Sequence, residues 1–112
     1  MELVEHLKNL SQNAYGKLDV KSAAAVIFGD NCWYTGVNIL IGDMYTSAIE
    51  NAIYAAVAEG YRKLNYIVVY FDTEKTVEMD DFSEECISLM HEFGIHEIIL
   101  TNKNNQQKVV NI

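Results

Sequence analysis

The apolar positions of residues 44–60 recur with the period of an α-helix and predict a helix at the centre of the fold. The residues that share its inward face are Tyr45, Ala48, Ile49, Ala52, Ile53, Ala56 and Val57. Ser47 and Glu50 have the spacing of a capping box, and Gly60 suits the end of the helix. Because unpaired N–H groups lie at a helix N-terminus, we expect the functional site beside the start of this helix.

The rest of the pattern predicts two more helices and five strands. A first helix covers residues 2–14, and a third begins near Asp81 and Glu84 and ends at Gly94. The predicted strands cover residues 23–28, 32–40, 66–71, 95–101 and 108–112, and a hairpin turn lies at residues 29–31. Helices that alternate with strands predict crossover connections and therefore a partly parallel sheet.

The fold class that follows is α/β, a three-layer α/β/α sandwich with a five-stranded mixed sheet, in a single domain over residues 1–112. The last strand should pair antiparallel with residues 98–101, because residues 102–106 are too few for a crossover helix. In open α/β sheets the site lies at the carboxyl ends of the strands, beside the helix N-termini. This rule selects residues 38–47 and 72–86.

Composition and charge exclude several classes of partner. The net charge is −8 and the eight basic residues are scattered, so the chain lacks the basic surface that nucleic acid requires. An uncharged nucleoside or base meets no such barrier. No apolar run approaches the roughly 20 residues of a membrane span, and the N-terminus does not resemble a signal peptide. Cys32 and Cys86 form no disulfide framework. We therefore expect a cytoplasmic protein with no membrane partner.

The order of the predicted elements and four short motifs resemble those of the small cytidine deaminases. The motifs lie at residues 23–26 (AAAV), 34–38 (YTGVN), 56–61 (AVAEGY) and 90–94 (MHEFG). The resemblance covers about residues 4–110 and implies the cytidine deaminase fold. It also implies association into a homodimer or homotetramer.

The zinc-binding motif of the family is largely substituted here. Members of the family hold zinc with a Cys or His at the start of the central helix and two Cys at the start of the next, and a Glu shuttles protons. The resemblance places Ser47, Ser83 and Cys86 at the ligand positions and Ile49 at the Glu. An alignment shifted by one residue would match Glu50 to the proton-shuttling Glu, but it would put Ala48, which has no metal-binding group, at the first ligand position. We therefore expect no catalytic residue, no metal and no cofactor.

The substrate pocket that the resemblance implies is partly substituted as well. Asn38 matches the ribose-binding Asn of the family, whereas Leu40 replaces its companion Glu, and residues 16–20 replace a Pro-Tyr-Ser-x-Phe stretch. The implied ligand-binding residues are Asn38, Leu40, Ser47, Ala48 and Ser83. For Asn38 the alternative is a turn residue that satisfies the local backbone. For Cys86 the alternative is a small buried hydrophobic residue.

Three functions are compatible with these residues. The first is a cytidine deaminase-like protein without zinc or activity, which binds a pyrimidine nucleoside or base or acts as a partner subunit. The second is an active zinc-dependent deaminase that performs hydrolytic deamination with unorthodox ligands, for example Cys86 with Glu84 or Glu85. The third uses Ser47 or Ser83 as a nucleophile, although no His is placed to activate either serine.

Self-association has independent support in the pattern of the central helix. Tyr54, Ala55 and Ala58 form an apolar surface on the side away from the sheet. We expect a homodimer or homotetramer whose interface includes Tyr54. The alternative is that the first helix covers this side within one chain.

Overall fold

In the computed structural model, which describes residues 2–78 and 82–112, the chain forms three helices and seven strands. In chain order they are α1 (Glu2–Ser11), β1 (Ser22–Phe28), β2 (Cys32–Val37), β3 (Ile39–Ile41), β4 (Met44–Thr46), α2 (Ala48–Ala58), β5 (Tyr66–Phe71), α3 (Glu84–Glu92), β6 (Glu97–Thr101) and β7 (Gln107–Asn111). Asp81, at the predicted start of the third helix, lies outside the described residues. No helix within these residues is long and apolar enough to cross a lipid bilayer.

Five strands form one mixed sheet in the order β2-β1-β5-β6-β7. β1 is antiparallel to both of its neighbours, whereas β5 and β6 are parallel. β7 returns antiparallel to β6, with Leu100 opposite Lys108, because the turn between them is too short for a crossover. The predicted five-stranded mixed sheet and its antiparallel last strand are therefore confirmed.

The helices cover both faces of this sheet, which gives the predicted three layers. Alternate residues of β1 point to opposite faces, as strand geometry requires. Ala24 and Val26 belong to the core beneath α2 and α3, whereas Ala25 and Ile27 pack in the core beneath α1. All seven residues of β1 are buried, which explains the absence of polar alternation in this strand.

The central helix approaches β2 closely because the contact residues are small. At Gly36 a Cβ atom would lie 2.4 Å from the backbone nitrogen of Ala52, so any other residue would push α2 away from the sheet. Ala52 and Ala56 are fully buried on the same side of the helix. This close approach sets the position of the α2 N-terminus relative to the sheet.

The predicted strand over residues 32–40 is wrong in its last part, and so is the placement of Tyr45 on the inward face of the central helix. The chain leaves the main sheet after Val37, and residues 39–41 form a separate two-stranded sheet with residues 44–46. An isolated parallel β-bridge joins Ile39 to Tyr15, so the chain after Val37 pairs with the loop that follows α1 instead of with β1. α2 begins at Ala48, and Tyr45 is exposed on β4 rather than buried on the helix.

Candidate functional site

Two adjoining cavities lie where β5 ends and α2 begins. The helix-end cavity, of about 370 Å³, lies between the N-termini of α2 and α3. The loop cavity, of about 660 Å³, lies between the loops that precede β1 and follow β5. Ser22, Tyr45 and Phe71 line both. The cavities therefore occupy the sheet edge that the topology rule selects.

The structure distributes the sequence-predicted site residues between the two cavities. Ser47, Ala48 and Ser83 line the helix-end cavity. Asn38 and Leu40 line the loop cavity. The five residues thus lie at one edge of the sheet but face two separate spaces.

Both serines of the helix-end cavity act as helix caps. The Ser47 hydroxyl accepts a hydrogen bond from the backbone N–H of Glu50 at 3.1 Å, and the Glu50 carboxylate accepts one from the Ser47 N–H at 3.1 Å. This is the predicted capping box. At the start of α3 the Ser83 hydroxyl accepts the N–H of Cys86 at 3.1 Å. Both oxygens therefore satisfy backbone groups that would otherwise lack a partner.

Cys86 lies against Ser47 in the same cavity. The Cys86 Sγ and Ser47 Oγ atoms are 3.9 Å apart, and the cysteine is only 3 % exposed. Burial raises the pKa of the Cys86 thiol, the contact with Ser47 lowers it by less, and the charge of Glu50 raises it again. The thiol is therefore held in its protonated form at neutral pH, as expected for a small buried hydrophobic residue.

The residues at these positions do not fit a zinc ion. Zinc in proteins is bound by thiolate, imidazole or carboxylate groups, normally in a tetrahedral set. Here the converging groups are one buried thiol and two serine hydroxyls that cap helices, and serine hydroxyls are poor zinc ligands. Within residues 2–78 and 82–112, no group of three or more His, Cys, Asp or Glu side chains is placed to hold a metal ion.

Ile49 occupies the position at which the resemblance places the proton-shuttling Glu. It lines the helix-end cavity and is 1 % exposed, within the main hydrophobic core. Its neighbours in that cluster include Cys86 and Met90. The wall of the cavity at this point is therefore hydrocarbon and cannot accept or donate a proton.

The candidate alternative ligands and bases lie elsewhere. Glu84 and Glu85 line a separate groove between α2 and α3, not the cavity that contains Cys86. No histidine lines either cavity in the part of the chain that the structure describes. The rings of His91 and His96 contact each other, with their centres 5.1 Å apart and their planes tilted by 32°. Neither serine therefore has an imidazole to activate it.

Both ends of the Asn38 side-chain amide form hydrogen bonds with the backbone at the loop cavity. Its side chain is 2 % exposed, Oδ1 accepts the N–H of Ser22 at 2.9 Å, and Nδ2 donates to the carbonyl of Val20 at 2.8 Å. These bonds attach the end of β2 to the start of β1. The interpretation of Asn38 as a residue that satisfies local backbone fits this geometry, although Oδ1 retains a second lone pair.

The sequence did not single out several residues that shape the site. Asn51 of α2 donates to the carbonyl of Val37 at 2.7 Å and to the Thr46 hydroxyl at 3.0 Å, so it ties the helix to β2 and β4. Lys17 and Lys75 line the loop cavity from two different loops. The sequence gives no signal that these two loop lysines line the same cavity, because only folding brings the two loops together.

No protein-family model and no curated protein sequence matches this chain. Solved structures do match. The chain is 26 % identical to a cytidine deaminase from Burkholderia pseudomallei, with a TM-score of 0.84 over 98 % of this chain and 90 % of that one. A cytidine deaminase from Mycobacterium tuberculosis matches with a TM-score of 0.68 at 15 % identity, over 96 % of this chain and 88 % of that one. A cytidine deaminase from Mycobacterium leprae matches with a TM-score of 0.63 at 18 % identity, over 94 % of this chain and 91 % of that one. At these lower identities the last two matches show the fold alone.

Proposed function

This chain belongs to the cytidine deaminase superfamily, and from this premise we propose that it is a zinc-free, catalytically inactive member that binds a pyrimidine nucleoside or base. The observation that supports the proposal is the chemistry of the helix-end cavity. The groups that converge there are one buried thiol, two capping hydroxyls, the hydrocarbon of Ile49 and the Glu50 carboxylate, which accepts the Ser47 N–H in the capping box. These groups do not supply the set of thiolate and imidazole ligands that a zinc-activated water requires.

Ligand binding is supported by the shape and lining of the adjoining cavities. Val69, Phe71 and Phe82 offer apolar surface to the planar face of a base. The loop cavity, beside Asn38, offers polar groups to a sugar. An apolar pocket with a few polar groups at one end is typical of small-molecule sites.

The direct test measures metal content, turnover and binding on the same preparation. We expect protein purified without chelators to contain no stoichiometric zinc and to form no uridine from cytidine, as followed by chromatography. We expect isothermal titration calorimetry to detect binding of cytidine or uridine. About one zinc per chain, or turnover abolished by a chelator, would contradict the proposal and support an active zinc-dependent deaminase with unorthodox ligands.

A constructive test checks the assignment of the ligand positions. Combining Ser47→Cys with Ser83→Cys provides three thiols at the helix ends, and we expect this variant to bind about one zinc per chain. The matched control combines Ser47→Cys with Ser88→Cys, because Ser88 lies in the other groove, between α2 and α3. Equal zinc binding by both variants would show that the positions of the thiols do not matter and would contradict the assignment.

We also propose that the chain forms a homodimer or homotetramer through the face around Tyr54. Tyr54 is 50 % exposed, and α1 packs against β1 and β5 on the opposite side of the sheet. The alternative that the first helix covers this face is therefore wrong. Four glutamates line the same groove, namely Glu50, Glu84, Glu85 and Glu92. A two-fold contact here opposes like charges, so association should strengthen as salt screens them.

Light scattering at about 50 mM and about 500 mM sodium chloride tests this association. We expect a larger fraction of dimer or tetramer at the higher salt concentration, and dissociation by Tyr54→Glu. Asn104→Glu adds the same charge in an exposed turn and is the matched control. A mass that stays near 12.7 kDa at both salt concentrations would contradict the proposal.

A further inference from the structure

We propose that the loop cavity binds the phosphate group of a pyrimidine nucleoside 5′-monophosphate, with Lys17 and Lys75 as its principal contacts. The inference rests on the proposed nucleoside binding and assigns the chemical class of the ligand. It goes beyond an uncharged nucleoside because the loop cavity carries positive charge that a nucleoside would leave unused.

The two lysines reach the cavity from separate loops. Lys17 lies in the loop between α1 and β1, and Lys75 lies in the loop that follows β5. The ion pairs within residues 2–78 and 82–112 involve Lys8 and Lys108, so neither cavity lysine is neutralised by a described carboxylate. Two ammonium groups at one cavity, neither of them paired with a carboxylate of the described residues, form a natural contact for a doubly charged phosphate.

The polar groups around the lysines suit the same ligand. Thr73 and Thr76 line the cavity between them. The Thr73 hydroxyl accepts the backbone N–H of Lys75 at 3.2 Å, so its own proton remains available to donate to a phosphate oxygen. Leu40, where the resemblance places a carboxylate, contributes hydrocarbon and therefore no repulsion.

Positive charges outnumber negative ones among the described residues that line the loop cavity. These residues include two lysines and one carboxylate, that of Asp19. The chain as a whole carries a net charge of −8. The groove between α2 and α3 is lined by four glutamates, and none of the described residues that line it is basic. An anion is therefore attracted to the loop cavity rather than to that groove.

The two cavities match the two ends of a nucleotide. The helix-end cavity has the apolar side chains Ile49, Val69 and Phe82, which fit a base. The loop cavity has the lysines and threonines, which fit a phosphate. Tyr45 and Phe71 line both spaces, so a sugar that bridges them would lie against these rings.

Isothermal titration calorimetry with cytidine, cytidine 5′-monophosphate, ribose 5-phosphate and inorganic phosphate tests the proposal. At low salt we expect the nucleotide to bind about tenfold or more tightly than cytidine, since charge-assisted hydrogen bonds are the stronger class. Lys17→Met and Lys75→Met should each weaken nucleotide binding by about tenfold and leave cytidine binding unchanged. Raising the salt concentration should reduce the difference between nucleotide and nucleoside.

Lys63→Met is the matched control, because Lys63 precedes β5 at the opposite end of the sheet. We expect it to change neither affinity, and thermal unfolding should show that all three variants are folded. Equal affinity for cytidine and its monophosphate would overturn this inference and leave the proposed nucleoside binding intact. Inorganic phosphate that binds as tightly as the nucleotide would also overturn it. Binding of neither cytidine nor its monophosphate would refute both proposals.

Discussion

The helix-end cavity and the loop cavity share three residues of their walls but use their polar groups differently. In the helix-end cavity the hydroxyls of Ser47 and Ser83 cap helices, and the Cys86 thiol is buried. In the loop cavity Lys17 and Lys75 are exposed, and neither forms an ion pair with a carboxylate of the described residues. The comparison shows that the polar groups of the helix-end cavity are used in capping and packing, whereas the loop cavity presents exposed charged side chains.

A physical reason connects the changes in the helix-end cavity. Thiolates at helix N-termini are stabilised by the N–H groups there and by a bound metal. Serine oxygens satisfy the same N–H groups without a metal or a negative charge. Once the thiolates are absent, a carboxylate at position 49 would lack a partner, and Ile49 instead packs with Cys86 and Met90. The substitutions are therefore mutually consistent.

The largest expected effect follows from placing a charge in this apolar wall. Ile49→Glu should lower the free energy of unfolding at neutral pH by about 3–5 kcal/mol, because it buries a carboxylate without a partner. Burial raises the pKa of such a carboxyl in the folded state, so the loss should be smaller near pH 4 and grow as the pH rises. Urea denaturation at several pH values measures this.

Ile49→Val is the control for that experiment, with an expected loss of about 0.5–1.5 kcal/mol at every pH. If Ile49→Glu cost no more than Ile49→Val at pH 7, position 49 would be accessible to water or to a compensating charge. The contrast between the two cavities would then be incorrect.

The next largest effect tests the loop cavity. Asn38→Ala should lower the free energy of unfolding by about 2–4 kcal/mol, because it leaves the buried N–H of Ser22 and the carbonyl of Val20 without their partner. Asn104→Ala, in an exposed turn, should stay within about 0.5 kcal/mol of the natural chain. A stable Asn38→Ala variant with weakened nucleoside binding would instead identify Asn38 as a ligand contact.

A smaller effect tests whether the serines act as caps. Ser47→Ala and Ser83→Ala should each cost about 1 kcal/mol in the free energy of unfolding, since each removes an acceptor for a helix N-terminal N–H. Ser47→Asp preserves the acceptor and should recover most of the loss. Ser88→Ala, within α3, is the matched control for the loss of a hydroxyl. No loss at either cap would contradict the structural role.

The last prediction compares the chemical reactivity of the two cysteines in the natural chain. They differ in exposure, so no substitution is needed. Cys86 is buried and its pKa is raised by burial, whereas Cys32 is exposed. Since the thiolate is the reactive form, iodoacetamide should modify Cys32 before Cys86 in the folded protein at pH 8. Mass spectrometry of proteolytic peptides measures both rates. Similar rates would mean that the helix-end cavity opens readily to solvent, and urea should equalise them in any case.

The amino-acid pattern alone was enough to predict the three helices and the five strands of the main sheet, but not the small sheet of β3 and β4. The helical period and the capping box of Ser47 and Glu50 are local features, and both are present in the structure. The short turn over residues 102–106 was enough to predict an antiparallel last strand. The position of Cys86 on the apolar side of its helix also followed from the period alone. These features depend on interactions between residues a few positions apart.

The division of the site into two cavities depends on contacts between residues that are far apart in the sequence. The exit of the chain from the sheet at Asn38 depends on bonds to Val20 and Ser22, which are distant in sequence. The meeting of Lys17 and Lys75 at one cavity depends on how two loops are positioned by the sheet. A local pattern contains no information about such distant pairs, because close packing of the whole core sets their positions.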